Sequence, residues 1–294
     1  TPPSVALGYA VTDTTPLLQE GFAVVVTDYE GLGTPGHHPY VNRESQGRAA
    51  LDAARAALRL PGTDLTPDSR TVIGGFSQGG GAAAAAGEMH GEYAPDVNLV
   101  AIAAGAPPSD MLGTLERMDG GLLTGAVGYT INGMLDLHPE LRPAVDRLLN
   151  DEGRRMLDVV ADQCAADTAA TYGLRRTSDF TADGRPLGEV LRSEPELLRV
   201  LESYNLGATA PAVPALVLAG RNDDVVPHHS VVDLVRRWCS QGAVVEMQTS
   251  ELPAIAPGLL IDHAAPMQSA RGTSARYLMD RVRDVPAPNS CGTV

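Results

Sequence analysis

Apolar residues in this chain gather into short unbroken runs, separated by stretches with helical periodicity. Residues 22–27, Phe-Ala-Val-Val-Val-Thr, are continuous and β-branched, the pattern of a strand buried on both faces of a parallel sheet. Residues 71–74 form a short apolar run, residues 98–104 read as another buried strand, and residues 213–219 and 243–248 complete the strands. Helical segments lie between and after them. Residues 14–20 open on threonine and stop at Gly21, and residues 45–60 are alanine-rich with leucines spaced for one face. Residues 80–87 are small throughout, and residues 229–240 and 265–284 complete the set. Strands alternating with helices predict an α/β fold, a parallel sheet wrapped on both faces.

The alternation breaks between the strands at 98–104 and 213–219. Residues 109–208 carry helical patches at 140–149, 153–163 and 187–206, the last interrupted at Pro195, and no convincing strand. An insertion at this point reaches the carboxyl ends of the strands, where ligands bind in open α/β sheets. It therefore reads as a helical cap or lid rather than added bulk. The chain divides into residues 1–108 and 209–294 as two parts of one core, with 109–208 as the cap.

The chemistry centres on Gly75-Phe76-Ser77-Gln78-Gly79, which follows a strand and opens into a small-residue helix. Strand, sharp turn with serine, helix is the context of a nucleophile elbow, with glycines on both sides allowing close approach. A serine nucleophile needs a base, and the base needs an acid to orient it. In this architecture they follow in the order serine, acid, histidine. Asp223 lies in a glycine-started turn after the strand at 213–219, where the acid belongs; the neighbouring Asp224 reads as a solvated or helix-capping acid. His263 lies between the last strand and the final helix, where the base belongs. Among its competitors, His228 and His229 are too near the acid in sequence. His37 and His38 sit in a glycine-rich loop, and His90 and His138 read as surface or cap residues. The backbone N–H of Gln78 supplies one oxyanion donor. The second is expected upstream of this chain. Asp28 and Glu30 lie at a strand end, where they can orient the loop of residues 31–40.

Composition narrows the field. A formal net charge of −14 argues against nucleic acid as a partner and against electrostatic docking on anionic membranes. The sequence contains no apolar run long enough to span a bilayer and no His/Cys cluster with metal-ligand spacing, so no metal or other cofactor is expected. Three cysteines leave at least one unpaired within the chain. The start at Thr1, without methionine or signal peptide, reads as a processed or truncated product.

Several separated motifs in order, Asp28-Tyr29-Glu30-Gly31, Gly75 to Gly80, Tyr93-Ala94-Pro95-Asp96, Asp223 to Pro227, Asp262-His263 and Cys291-Gly292-Thr293, resemble the secretory lipases of fungi and actinobacteria, the lipase A type. The resemblance runs from Thr1 to Val294. It implies an α/β-hydrolase fold with a helical cap inserted before the acid-bearing strand, secreted, hydrolysing fatty acyl esters. It assigns Ser77 as nucleophile, Asp223 as orienting acid and His263 as base. It also implies that the early strands, the second oxyanion donor and one cysteine lie upstream of this chain, so that residues 22–27 would lack their neighbouring strand. The expectation is an N-terminal fragment of the same precursor, held as a second chain or lost. On the same ground Cys239 pairs with Cys291, and Cys164 pairs with the upstream cysteine. Alternatives to ester hydrolysis are a non-catalytic binding protein on the same fold, or an acyltransferase using the same triad.

Overall fold

A computed structural model describes residues 14–294. Its described sheet has four parallel strands, β1 (Thr71–Phe76), β2 (Leu99–Gly105), β3 (Ala215–Gly220) and β4 (Val245–Ser250), in that spatial order. Alternate residues face opposite sides, as strand geometry requires. Ala101, Ala103, Leu216 and Leu218 pack with Tyr277 and Leu278 of the final helix. Ile102, Ala104, Val217 and Ala219 join the larger core on the other face. The chain has the expected α/β fold, a parallel sheet packed on both faces.

Eleven helices are labelled in chain order. They are α1 (Arg43–Leu58), α2 (Gln78–Tyr93), α3 (Met111–Met118), α4 (Val127–Leu137), α5 (Arg142–Leu148), α6 (Asp151–Val160), α7 (Ala165–Tyr172), α8 (Leu187–Arg192), α9 (Pro195–Glu202), α10 (His228–Ser240) and α11 (Ile261–Val282). Residues 14–19 are also helical. Helices α3 to α9 fill the interval between β2 and β3, where the only β pairing among the described residues is an isolated bridge from Leu149 to Thr181. Pro195 divides that interval's last helical patch by standing at the first position of α9, where its missing N–H is not needed. Buried side chains of these helices, such as Leu115 and Leu201, belong to the same continuous core as Val217 of β3.

One strand expected from the sequence does not form. Among the described residues, 22–27 have no strand pairing, and Val25 and Val26 are exposed. A β-branched run reports a tendency to extend and to be buried, but a strand also needs a hydrogen-bonded neighbour. Residues 22–27 face β1 across an open cavity of about 300 Å³, so no ladder bridges the two. Across the molecule, Cys239 and Cys291 form a disulfide that ties the C-terminal tail to α10. Cys164 stands at the N-terminal cap of α7, half-buried.

A buried carboxylate stitches the larger core. Glu88 of α2 accepts hydrogen bonds from Gly207 N–H at 2.6 Å and Trp238 Nε1 at 3.0 Å, and pairs with Arg43 at 3.0 Å. Burial pushes its carboxyl up to about 7, against the opposing pull of these donors and of Arg43. The protonated form is therefore favoured by folding. Its stabilisation is complete below the ordinary carboxyl value of 4.5 and is lost as pH rises through about 7. Glu88→Gln keeps an acceptor for both N–H groups and removes the titration. We expect the wild-type melting temperature to fall between pH 4.5 and 7 and the variant's to be flatter, a difference of roughly 3 kcal/mol at most across the window. Parallel melting curves across that interval would refute this account of Glu88.

Candidate active site

Ser77 links the last residue of β1 to the first residue of α2. Its backbone is in the left-handed region, φ 56° and ψ −120°, an uncommon conformation for serine. Two close approaches hold it there. A Cβ at Gly75 would overlap the backbone of Gly79, and a Cβ at Gly80 would overlap the carbonyl oxygen of Gly105. The Ser77 N–H donates to that same Gly105 carbonyl at 2.8 Å. A Cβ at Gly79 would meet open space, so the positions that require glycine are Gly75 and Gly80, only the first of which belongs to the five-residue pattern.

The structure brings Ser77, His263 and Asp223 together. Ser77 Oγ lies 2.8 Å from His263 Nε2. His263 Nδ1 lies 2.8 Å and 3.0 Å from the two carboxylate oxygens of Asp223. An ionised carboxylate only accepts, so Nδ1 carries the proton and Nε2 is free to accept from the serine hydroxyl. Asp223 is fixed in turn by the N–H groups of Val225 and Val226, each 2.8 Å from Oδ1. The Phe76 ring packs 5.1 Å from the imidazole, and both His263 and Asp223 are buried.

Two supporting residues escaped the sequence reading. Asp224 is not solvated, and it caps α11 rather than the helix that follows it. It is buried, and it accepts from His263 N–H and Leu260 N–H, both at 2.9 Å. These donors lie at the start of α11, where the first N–H groups have no acceptor inside the helix. Asp224 thus seats the backbone of the histidine whose side chain Asp223 holds. Arg117 of α3 donates from Nε to the Asp223 carbonyl at 2.9 Å, tying the helical interval to the acid turn. Nothing local in the sequence marks either contact, because the partners are 39 and 106 residues away.

The other histidines lie outside this relay. His228 contacts Thr249 at 3.1 Å, and His90 contacts the Val97 carbonyl at 2.8 Å. His37 pairs with Asp136 and His138 with Glu140. His38 contacts the side chain of Gln78 at 2.6 Å. Glu30 fastens the loop of residues 31–40, its carbonyl contacting His38 Nδ1 at 2.8 Å and its carboxylate accepting from Ser45 Oγ at 2.8 Å. As the first residue of α2, Gln78 has a backbone N–H with no intrahelical acceptor.

Ser77 and Gln78 open onto a cavity of about 40 Å³ bounded by Tyr40, Met111, Leu115 and Val127. A second cavity of about 40 Å³, enclosed mainly by aliphatic side chains, shares Leu115, Val127, Thr130 and Leu201 with the first. Burial, reinforced by the neighbouring Tyr129, pushes the Tyr40 hydroxyl up to about 12, so this wall stays uncharged. Among the described residues no three His, Cys, Asp or Glu side chains group as metal ligands, and no helix is long and apolar enough to cross a membrane.

Comparison with known proteins gives concordant results. The sequence profile of the secretory lipase family matches residues 3–290. A protein of Mycobacterium tuberculosis named a probable inactive lipase is 30% identical over 269 residues, covering 92% of this chain and 57% of its own length. A secreted triacylglycerol lipase of Malassezia globosa is 26% identical over 277 residues, covering 93% of this chain and 58% of its own length. This chain thus spans under three fifths of the length of those two relatives. Among solved structures, Candida antarctica lipase A superposes with a TM-score of 0.79 at 22% identity, over 96% of this chain and 63% of that one. A rice cell wall degrading esterase from Xanthomonas oryzae gives 0.74 at 21% identity, over 87% of this chain and 71% of that one.

Proposed function

Because the chain belongs to the secretory lipase family, we propose that it is a secreted carboxylic ester hydrolase acting on fatty acyl esters such as acylglycerols. The observation that carries the reading is the continuous relay from Ser77 Oγ through both nitrogens of His263 to Asp223. Ser77 attacks the ester carbonyl while His263 Nε2 takes its proton. The tetrahedral oxyanion is met by the Gln78 N–H. His263 then returns the proton to the departing alkoxide, leaving an acyl-enzyme and a free alcohol. Water, deprotonated by the same nitrogen, attacks the acyl carbonyl; the imidazolium then returns that proton to Ser77 Oγ as the bond to the acyl carbon breaks, which releases the acid and restores the free serine. Asp223 holds the imidazole in the required tautomer and stabilises its cation.

Residues 109–208 act as a cap in this reading, with the acyl chain passing from the cavity at Ser77 into the aliphatic one behind it. Leu201 borders both cavities. We expect Leu201→Trp to cut hydrolysis of nitrophenyl octanoate relative to the acetate by about tenfold, since a pocket discriminates chain length by what it can hold. An unchanged chain-length profile would place the acyl chain elsewhere. The unpaired residues 22–27 and the cavity beside β1 support a further part of the proposal, that an upstream segment of the same precursor completes this edge of the sheet as a further strand.

A second reading, a non-catalytic protein on the same fold, is favoured by the name of the mycobacterial relative. A chain-length series of nitrophenyl esters on wild type and Ser77→Ala decides between them. Turnover that depends on Ser77 supports the hydrolase, and turnover indifferent to Ser77, or none, supports the second reading.

A further inference from the structure

His38 makes a set of contacts that the relay leaves unused. Its Nδ1 stands 2.8 Å from the carbonyl oxygen of Glu30. A carbonyl only accepts, so Nδ1 carries a proton. Its Nε2 stands 2.6 Å from Gln78 Nε2 and 3.2 Å from Gln46 Nε2. Amide NH₂ groups only donate, so Nε2 offers its lone pair to both. The neutral tautomer protonated at Nδ1 satisfies all three contacts at once. An imidazolium would turn Nε2 into a donor and oblige both carboxamides to rotate. Burial favours the neutral form and lowers the pKa of His38, with the Glu30 carbonyl and carboxylate opposing.

The ring has little freedom. Tyr29 stacks on it with centroids 5.7 Å apart, and Tyr40 meets it edgewise at 6.0 Å. The loop is pinned on both sides of the ring. Ser45 Oγ donates to the Glu30 carboxylate at 2.8 Å, and the neighbouring His37 is tied to Asp136 of α4 through backbone N–H at 2.7 Å and Nδ1 at 3.0 Å. His38 is thus a fixed acceptor directed at the residue that follows Ser77. Gln78 and Tyr40 also line the cavity on which Ser77 opens.

We propose that His38 is a positioning residue for the hydrolysis: its Nε2 holds the Gln78 carboxamide and thereby fixes the first residue of α2, whose N–H receives the oxyanion. The proposal rests on the ester-hydrolase reading of Ser77. The peptide between Ser77 and Gln78 carries the donor N–H, and a loosened Gln78 lets that donor drift. An oxyanion donor acts on charge that develops only in the transition state, so the loss falls on kcat and not on KM.

The test is a cycle of wild type, His38→Leu, Gln78→Leu and the double variant, assayed on a nitrophenyl ester. The Gln78 backbone N–H survives in all four. Each single change is expected to lower kcat roughly tenfold with KM within about twofold, and the double variant to be no slower than the single variants, because both remove one interaction. In Ser77→Ala protein, ¹⁵N NMR is expected to find His38 protonated at Nδ1 and bare at Nε2. Additive losses in the double variant, an unchanged kcat in either single variant, or a proton on Nε2 would overturn the proposal. The two levels fail differently. Wild type that takes up no fluorophosphonate ends the hydrolase reading and this proposal with it, whereas normal labelling with additive losses ends this proposal alone.

Discussion

Asp223→Asn is expected to fold like wild type and to hydrolyse esters about 10⁴-fold more slowly. The reason lies in the wiring of the carboxylate. Oδ1 already accepts two backbone N–H groups, from Val225 and Val226, each at 2.8 Å. An asparagine must keep its carbonyl oxygen there, because an NH₂ group would face two donors. Its NH₂ then occupies the Oδ2 place, 2.8 Å from His263 Nδ1. The carbonyl oxygen, 3.0 Å from Nδ1, is already engaged by two N–H groups, so the nearer NH₂ is expected to draw the Nδ1 lone pair and shift the imidazole proton to Nε2, where it can no longer accept from Ser77. The change corresponds to about 5.5 kcal/mol of transition-state stabilisation. Steady-state kcat/KM with a melting curve checks it. A variant within about tenfold of wild type would remove Asp223 from the role given to it here.

The second large effect is on the fold. Gly80→Ala puts a Cβ well under 3.0 Å from the carbonyl oxygen of Gly105, a backbone atom that also accepts from Ser77 N–H. Neither β2 nor α2 can retreat without disturbing buried neighbours, so destabilisation of roughly 3 kcal/mol or more is expected. The matched control is Gly79→Ala. Its Cβ meets no atom within 4 Å, and alanine suits a helix better than glycine by about 1 kcal/mol. Chemical denaturation of the pair should give opposite signs. If both variants lose similar stability, the close approach at Gly80 is not what fixes the turn.

The contrast between these glycines shows what sequence conveys. The motif around Ser77 marks the turn, because strand, serine and small-residue helix are local properties. Which glycine meets another strand is not local, and Gly80 lies outside the pattern. The strands β2 and β3 were legible as apolar runs to within a couple of residues, since burial on both faces leaves a continuous signature. The same signature misled at residues 22–27, where the β-branched run was present but the pairing partner was not. Ser77, Asp223 and His263 could be picked out by chain order and by their places at element ends. Asp224, Arg117 and His38 could not. Asp224 acts on a backbone N–H 39 residues away, Arg117 on a carbonyl 106 residues away, and His38 on a carboxamide 40 residues away. Each is an ordinary polar residue until the fold brings its partner near.

If Ser77 is an activated nucleophile, it is captured covalently by an electrophile that mimics the ester carbonyl. Purified protein, together with any chain that co-purifies, is treated with a fluorophosphonate and its adduct mapped by mass spectrometry. The account predicts one adduct, on the Ser77 hydroxyl, absent from Ser77→Ala and formed far more slowly in Asp223→Asn. Wild type that remains unlabelled, or an adduct that persists in Ser77→Ala, would contradict it.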